Sequence, residues 1–223
     1  CSDALTGETF AETKKSILRL FNTYGLPISF LCDNGNPWGT SQSTGYTHFE
    51  VWLMELGVLT IHGRISHPQT QGKDESFNRN LTRELLKHSE INDIIDAQRQ
   101  FDRYRDFYNQ ERPHHALDLD VPANRYCPSD RKLPTRVEDW EYPVGYELRQ
   151  IKKTGFLTYG GQGYFLSEAF GGKTIAIRES HMPGSISLFY RQFRIGRINV
   201  DRRVFTLKKS YLIEGDPRFA PQN

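Results

Sequence analysis

Two short apolar runs, ISFLC at residues 28–32 and VLTIH at residues 58–62, do most to constrain what this chain can fold into. Each is bounded by turn residues, as buried strands are. Between them Phe49, Trp52, Leu53 and Leu56 recur at the spacing of one helix face, and Gly57 supplies the stop. A strand–helix–strand order calls for parallel pairing, because a right-handed crossover packs the helix back onto its own sheet. Helical stripes also flank the two runs. Residues 9–24 carry Phe10, Ile17, Leu18 and Phe21 ahead of Gly25 and Pro27, and residues 73–87 read as a further helix. Residues 92–111 read as a longer one, with Ile94, Ile95, Phe101, Tyr104 and Tyr108 on one side and Pro113 ending it. The expectation is an α/β layer.

The pattern changes after residue 127. Pro128, Pro134 and Pro143 mark a linker over residues 128–143, rich in Arg, Lys and Asp. Residues 144–213 then alternate apolar and polar in short stretches such as GYFLSEAF and RQFRIGRINV, separated by TYGGQG, FGGK and MPGS. That predicts a small all-β barrel or sandwich, followed by a tail over residues 214–223. Charge divides in the same way. Residues 1–127 hold 13 Lys and Arg against 17 Asp and Glu, whereas residues 128–223 hold 16 against 10. A basic second half suits a polyanionic partner, and a merely solvated surface looks the same by charge alone. No apolar run approaches the roughly 20 residues that span a bilayer, and no signal-peptide layout opens the chain, so no membrane association is expected. Cys1, Cys32 and Cys127 form neither a metal-type pair nor a disulfide framework, which points to a cytoplasmic protein.

Two carboxylates carry the chemistry. Asp33 opens DNG directly after the first apolar run, where a turn tripeptide and a ligand-binding strand end are both consistent readings. Glu75 lies near the start of the helix entered from SHPQTQG, with Arg79 and Arg83 one and two turns on, an arrangement shared by surface ion ladders. Carboxylates from adjacent elements can converge on a hard cation such as Mg²⁺.

LCDNGNPWG, then SHPQTQGKDESFNRNL, then YNQERPHHALDLDVPANRY together resemble the integrase-type catalytic core of bacterial insertion-sequence transposases, here of the insertion-sequence 481 group. The resemblance implies an RNase H-like core followed by the small all-β domain, and a D-D-E triad binding two divalent metals, Mg²⁺ or Mn²⁺. Asp33 matches the second aspartate and Glu75 the glutamate. Arg79 and Arg83 fall where such enzymes carry basic residues that approach DNA, Gln71 and Lys73 offer donors to phosphate or base edges, and the partners implied are transposon ends and target DNA, with a homo-oligomer in the complete enzyme. Asp74 is then a helix N-terminal residue favoured by the dipole.

Two features depart from the family pattern. The interval between Asp33 and Glu75 is longer than usual, with PWGTSQSTGYTHF as extra loop. The family's first aspartate precedes the helix that begins here at Thr9, and Asp3, read as an exposed terminal carboxylate, does not replace it. The implied core is therefore incomplete, an N-terminally truncated transposase inactive alone. A noncatalytic DNA-binding or regulatory protein derived from a transposase is the alternative. His62 and His67 read as hydrogen-bonding or DNA-contact residues, and Arg112 in NQERPHHAL as phosphate-facing by the resemblance or, the preferred reading, as part of a packed corner. In the β region, Lys152, Lys153, Arg191, Arg194 and Arg197 interleave with Tyr159, Tyr164, Tyr190 and Phe193, a composition suited to nucleic-acid backbones.

Overall fold

A computed structural model describes residues 3–5, 7, 9–32, 35, 38–39, 45–62 and 72–207, the side chains of Lys73 and Asp74 excepted. Two compact units divide the chain, Cys1–Pro27 with Gly63–Leu133, and Ile28–His62 with Pro134–Asn223.

In the first unit, helix α1 spans Phe10–Tyr24 and buries Thr13, Ile17 and Phe21, one residue per turn. The Thr9 hydroxyl caps it by accepting from the Glu12 amide at 3.3 Å. Gly25 ends it at φ 78°, and its amide donates to the Phe21 carbonyl at 2.9 Å. A β-carbon at Gly25 would stand 2.3 Å from the Ser129 carbonyl oxygen, so both the backbone angle and the close approach demand glycine. The approaching segment is held there. Ser129 and Leu26 donate their amides to Tyr24 and Arg131 carbonyls, and the Arg131 guanidinium donates to the Pro27 carbonyl at 2.7 Å. Asp3 differs from its reading as an exposed carboxylate. It accepts from Ser16 and pairs with Arg19 on α1, which leaves its side chain only 9% exposed.

Helix α3, Gly72–Leu81, runs into a π-helical turn over Thr82–Leu86 rather than continuing as α-helix. Helix α4 spans Ile94–Gln110 behind an Asp93 cap, whose carboxylate accepts from the Asp96 amide at 2.7 Å. Phe77 of α3 packs on Tyr104 and Tyr108 of α4, with ring centroids 6.1 and 5.0 Å away. The expected apolar side of α4 holds only in part. Tyr104 is buried, whereas Ile94 and Ile95 at the helix start are exposed, Ile95 by 69%.

In the second unit, strands β1 (Ser29–Cys32) and β2 (Leu59–His62) pair in parallel, with Ser29 opposite Leu59 and Cys32 opposite His62. Helix α2, His48–Glu55, connects them and opens with a capping box. The Thr47 hydroxyl accepts from the Glu50 amide, and the Glu50 carboxylate accepts from the Thr47 amide at 2.7 Å. The helix is buried nearly all round, on Phe49, Val51 and Leu53 as well as Trp52. Each such side chain removed from water stabilises by about 1.5–3 kcal/mol.

The rest of that unit is antiparallel. Strands β3 (Glu147–Gln150), β6 (Thr174–Glu179), β7 (Ser185–Tyr190), β8 (Phe193–Asn199) and β9 (Val204–Leu207) form one sheet in the order β3-β6-β7-β8-β9. Strands β4 (Phe156–Tyr159) and β5 (Gln162–Phe165) form a hairpin closed by Gly160 and Gly161, both at positive φ. Leu157, Leu166, Phe170, Ile175, Leu188, Phe193 and Ile195 make the core, and Tyr46, Val51 and Met54 from the α2 region belong to the same cluster. The Tyr46 hydroxyl donates to the Ile195 carbonyl at 3.0 Å, and the Ser167 hydroxyl donates back to the Tyr46 carbonyl at 2.6 Å. At the far end of α2, Glu55 accepts from the Tyr190 hydroxyl at 3.0 Å and pairs with Lys173.

Candidate active site

Helix α3 presents the acidic and basic residues singled out in the sequence. Glu75 and Arg79, four residues apart, are both exposed. Neither side chain makes an ion pair or hydrogen bond with any described residue, which leaves the Glu75 carboxylate exposed. Arg83 lies in the π turn and is engaged, donating to Glu84 at 2.9 Å and Asn80 at 3.4 Å. Lys73 belongs to the first turn of α3, its side chain outside the described residues, where Gln71, His67 and Asp33 also lie. Asp33 is the next residue after Cys32, the end of β1. Among the described residues no group of three or more His, Cys, Asp or Glu could hold a metal ion.

A polar knot fixes α3 from behind. Glu84 accepts from Arg112 through both carboxylate oxygens, at 3.1 and 3.3 Å, and from the Tyr104 hydroxyl at 3.1 Å. Arg112 also stacks over Tyr108, its guanidinium carbon 5.4 Å from the ring centroid. Partial burial works against the Glu84 charge, yet hydrogen bonds from Arg112, Arg83 and Tyr104 prevail and hold its carboxyl below the ordinary range. The same burial, with Glu84 as acceptor, pushes the Tyr104 hydroxyl well up. Arg112 is thus spent on the packed corner, as its motif suggests.

A second cluster sits at the carboxyl ends of β1 and β2. The His62 Nε2 donates to the buried Glu50 carboxylate at 2.9 Å, with side-chain exposures of 8% and 1%. Its Nδ1 lies 3.7 Å from the Cys32 sulfur, which also approaches the Ile61 carbonyl at 3.8 Å. The sequence reading gave Glu50 no role, although T-x-x-E at residues 47–50 is a visible capping box. That its second oxygen would reach a histidine twelve residues on carries no local signal.

Comparison with known proteins gives these elements a family. Residues 56–122 match the integrase core domain, a segment that includes Gln71, Lys73, Glu75, Arg79 and Arg83 but not Asp33. Residues 146–205 match the C-terminal domain of IS481 family transposases. A putative integrase, ORF3 of Spiroplasma virus SpV1-C74, is 29% identical over 126 residues, 53% of this chain and 35% of that protein. Insertion element IS136 proteins of Agrobacterium fabrum strain C58 and Agrobacterium tumefaciens strain T37 are 28% identical over 95 residues, 43% of this chain and 46% of each. The chain therefore matches less than half the length of these relatives. Integrase cores of the DDE type generally use divalent metals. No helix among the described residues is long and apolar enough to cross a membrane. The middle of the chain thus matches an integrase core and its β region the C-terminal domain of an insertion-sequence transposase family.

Proposed function

We propose that this chain acts in DNA transposition as part of a DDE transposase, which cleaves DNA and joins a 3′ hydroxyl to target DNA. Its RNase H-like core draws on residues 1–127, followed by a linker over 128–143 and a β domain over 144–213. Asp33 and Glu75 serve as two of the carboxylate ligands for Mg²⁺ or Mn²⁺. The carrying observation is that Glu75 stands exposed and unpaired among the described residues, on a helix inside the integrase-core match. Oxygen donors suit a hard divalent cation, which supplies an activated water and neutralises charge at an in-line phosphodiester displacement. Arg79, together with Lys73, Gln71 and Arg83, lies along the phosphate backbone and fixes register without reading sequence. The basic β domain adds a further anionic contact, and a homo-oligomer brings DNA ends and target together in the cytoplasm.

The test is Mn²⁺ binding to the full chain and to its Asp33→Asn and Glu75→Gln variants. Each substitution is expected to weaken binding by at least about tenfold. Absence of binding by the unsubstituted chain, or binding indifferent to both changes, overturns the assignment. In a strand-transfer assay with Mg²⁺, the 223 residues alone are expected to show no turnover, because a third acidic ligand is needed. Turnover would refute that clause and leave the ligand assignment standing.

A further inference from the structure

The buried pair formed by Glu50 and His62 lies beside the strand end that leads into Asp33. Cys32 and His62 are register partners at the last position of the parallel pair, and the residue after Cys32 is Asp33. Whatever fixes that rung therefore fixes the point from which Asp33 departs. Three tethers meet there. Glu50 is spent on both oxygens, one accepting from the Thr47 amide and the other from His62 Nε2. Since a carboxylate can only accept, Nε2 carries the hydrogen, and Nδ1 is left facing the Cys32 sulfur. Helix α2 cannot shift to relax this arrangement, because Tyr46, Met54 and Glu55 anchor it in the β-domain core and on Ser167, Lys173 and Tyr190.

We propose that Glu50 and His62 are positioning residues that hold the carboxyl end of β1 so that Asp33 meets the metal in one geometry. The proposal rests on Asp33 being a metal ligand. Outer partners of this kind, themselves out of reach of the ion, commonly change metal affinity by about 10–100-fold when removed. A histidine placed only to fasten a helix to a sheet would alter stability and leave affinity alone.

The experiment reads the full chain in two ways. First, ¹⁵N-resolved histidine spectra of the unsubstituted protein are expected to show His62 as the Nε2–H tautomer, with that proton protected from exchange. A rapidly exchanging ring, or the Nδ1–H tautomer, overturns the arrangement without reference to any metal. Second, Mn²⁺ affinity is measured for His62→Phe, Glu50→Gln and the rescue variant His62→Gln, whose amide can donate from the Nε2 position. The first two are expected to lose about tenfold or more, and His62→Gln to recover most of it. If Asp33→Asn abolishes binding while His62→Phe and Glu50→Gln bind normally, the positioning role is refuted and the ligand assignment survives. Asp33→Asn binding normally refutes both. Should His62→Phe not fold, Glu50→Gln keeps the volume and the Thr47 cap, and it decides alone.

Discussion

At the scale of single residues, the contrast between Glu75 and Glu84 is instructive, because the two carboxylates share one stretch of chain and have opposite surroundings. Glu84 is saturated by Arg112, Arg83 and Tyr104, whereas Glu75 is open. Glu75→Gln is expected to weaken metal binding by at least about tenfold and Asp74→Ala to preserve it, and loss through Asp74 alone would exchange the two assignments. Glu84→Gln should instead act on stability. Its folded carboxyl titrates below its unfolded value, so its contribution is full above the unfolded value near pH 4.3 and disappears as pH falls through the folded one. Urea unfolding near neutral pH should therefore show a loss of about 1–2 kcal/mol in Glu84→Gln, shrinking as the pH is taken below about 4.

At the scale of elements, the glycines mark where the packing is least forgiving. Gly25→Ala combines a positive φ with a β-carbon driven onto the Ser129 carbonyl, and should cost about 2 kcal/mol or more in thermal or urea unfolding. Gly196 in β8 is similar, since a β-carbon there would stand 2.4 Å from the Phe205 ring, and Gly196→Ala should cost about 1–3 kcal/mol. The elements were largely legible beforehand. ISFLC and VLTIH announced β1 and β2, Thr9 announced the start of α1, and the helix read over residues 73–87 covers α3 and the turn after it. Less legible were the exposure of Ile94 and Ile95 and the π turn after Leu81, because periodicity reports that a helix is two-faced and leaves open what covers each face. Helix α2 shows the same limit. Its stripe of Phe49, Trp52, Leu53 and Leu56 was readable, whereas the burial of Val51 and Met54 depends on strands more than a hundred residues away.

At the scale of the molecule, DNA binding should be dominated by phosphate contacts. The dissociation constant of the full chain for duplex DNA is expected to rise steeply with salt, by about 0.9 logarithmic units per tenfold salt for each phosphate contacted. Arg79→Ala should reduce that slope by about one contact, as anisotropy titrations at several salt concentrations would show. Affinity indifferent to salt would argue against this use of the basic surface.

The anchoring of Tyr46 on Ile195 also has a consequence for the order of events during synthesis. The two residues are 149 positions apart, so the hydroxyl has no carbonyl to reach until 149 further residues have been synthesised. At roughly 5–20 residues per second that is a wait on the order of ten seconds. A prematurely terminated product lacking β8 would carry the residues of the β1–β2 pair but not the surface that seats their connecting helix. The seating of α2, and with it the β1–β2 pair that the helix connects, thus waits on the synthesis of the β region.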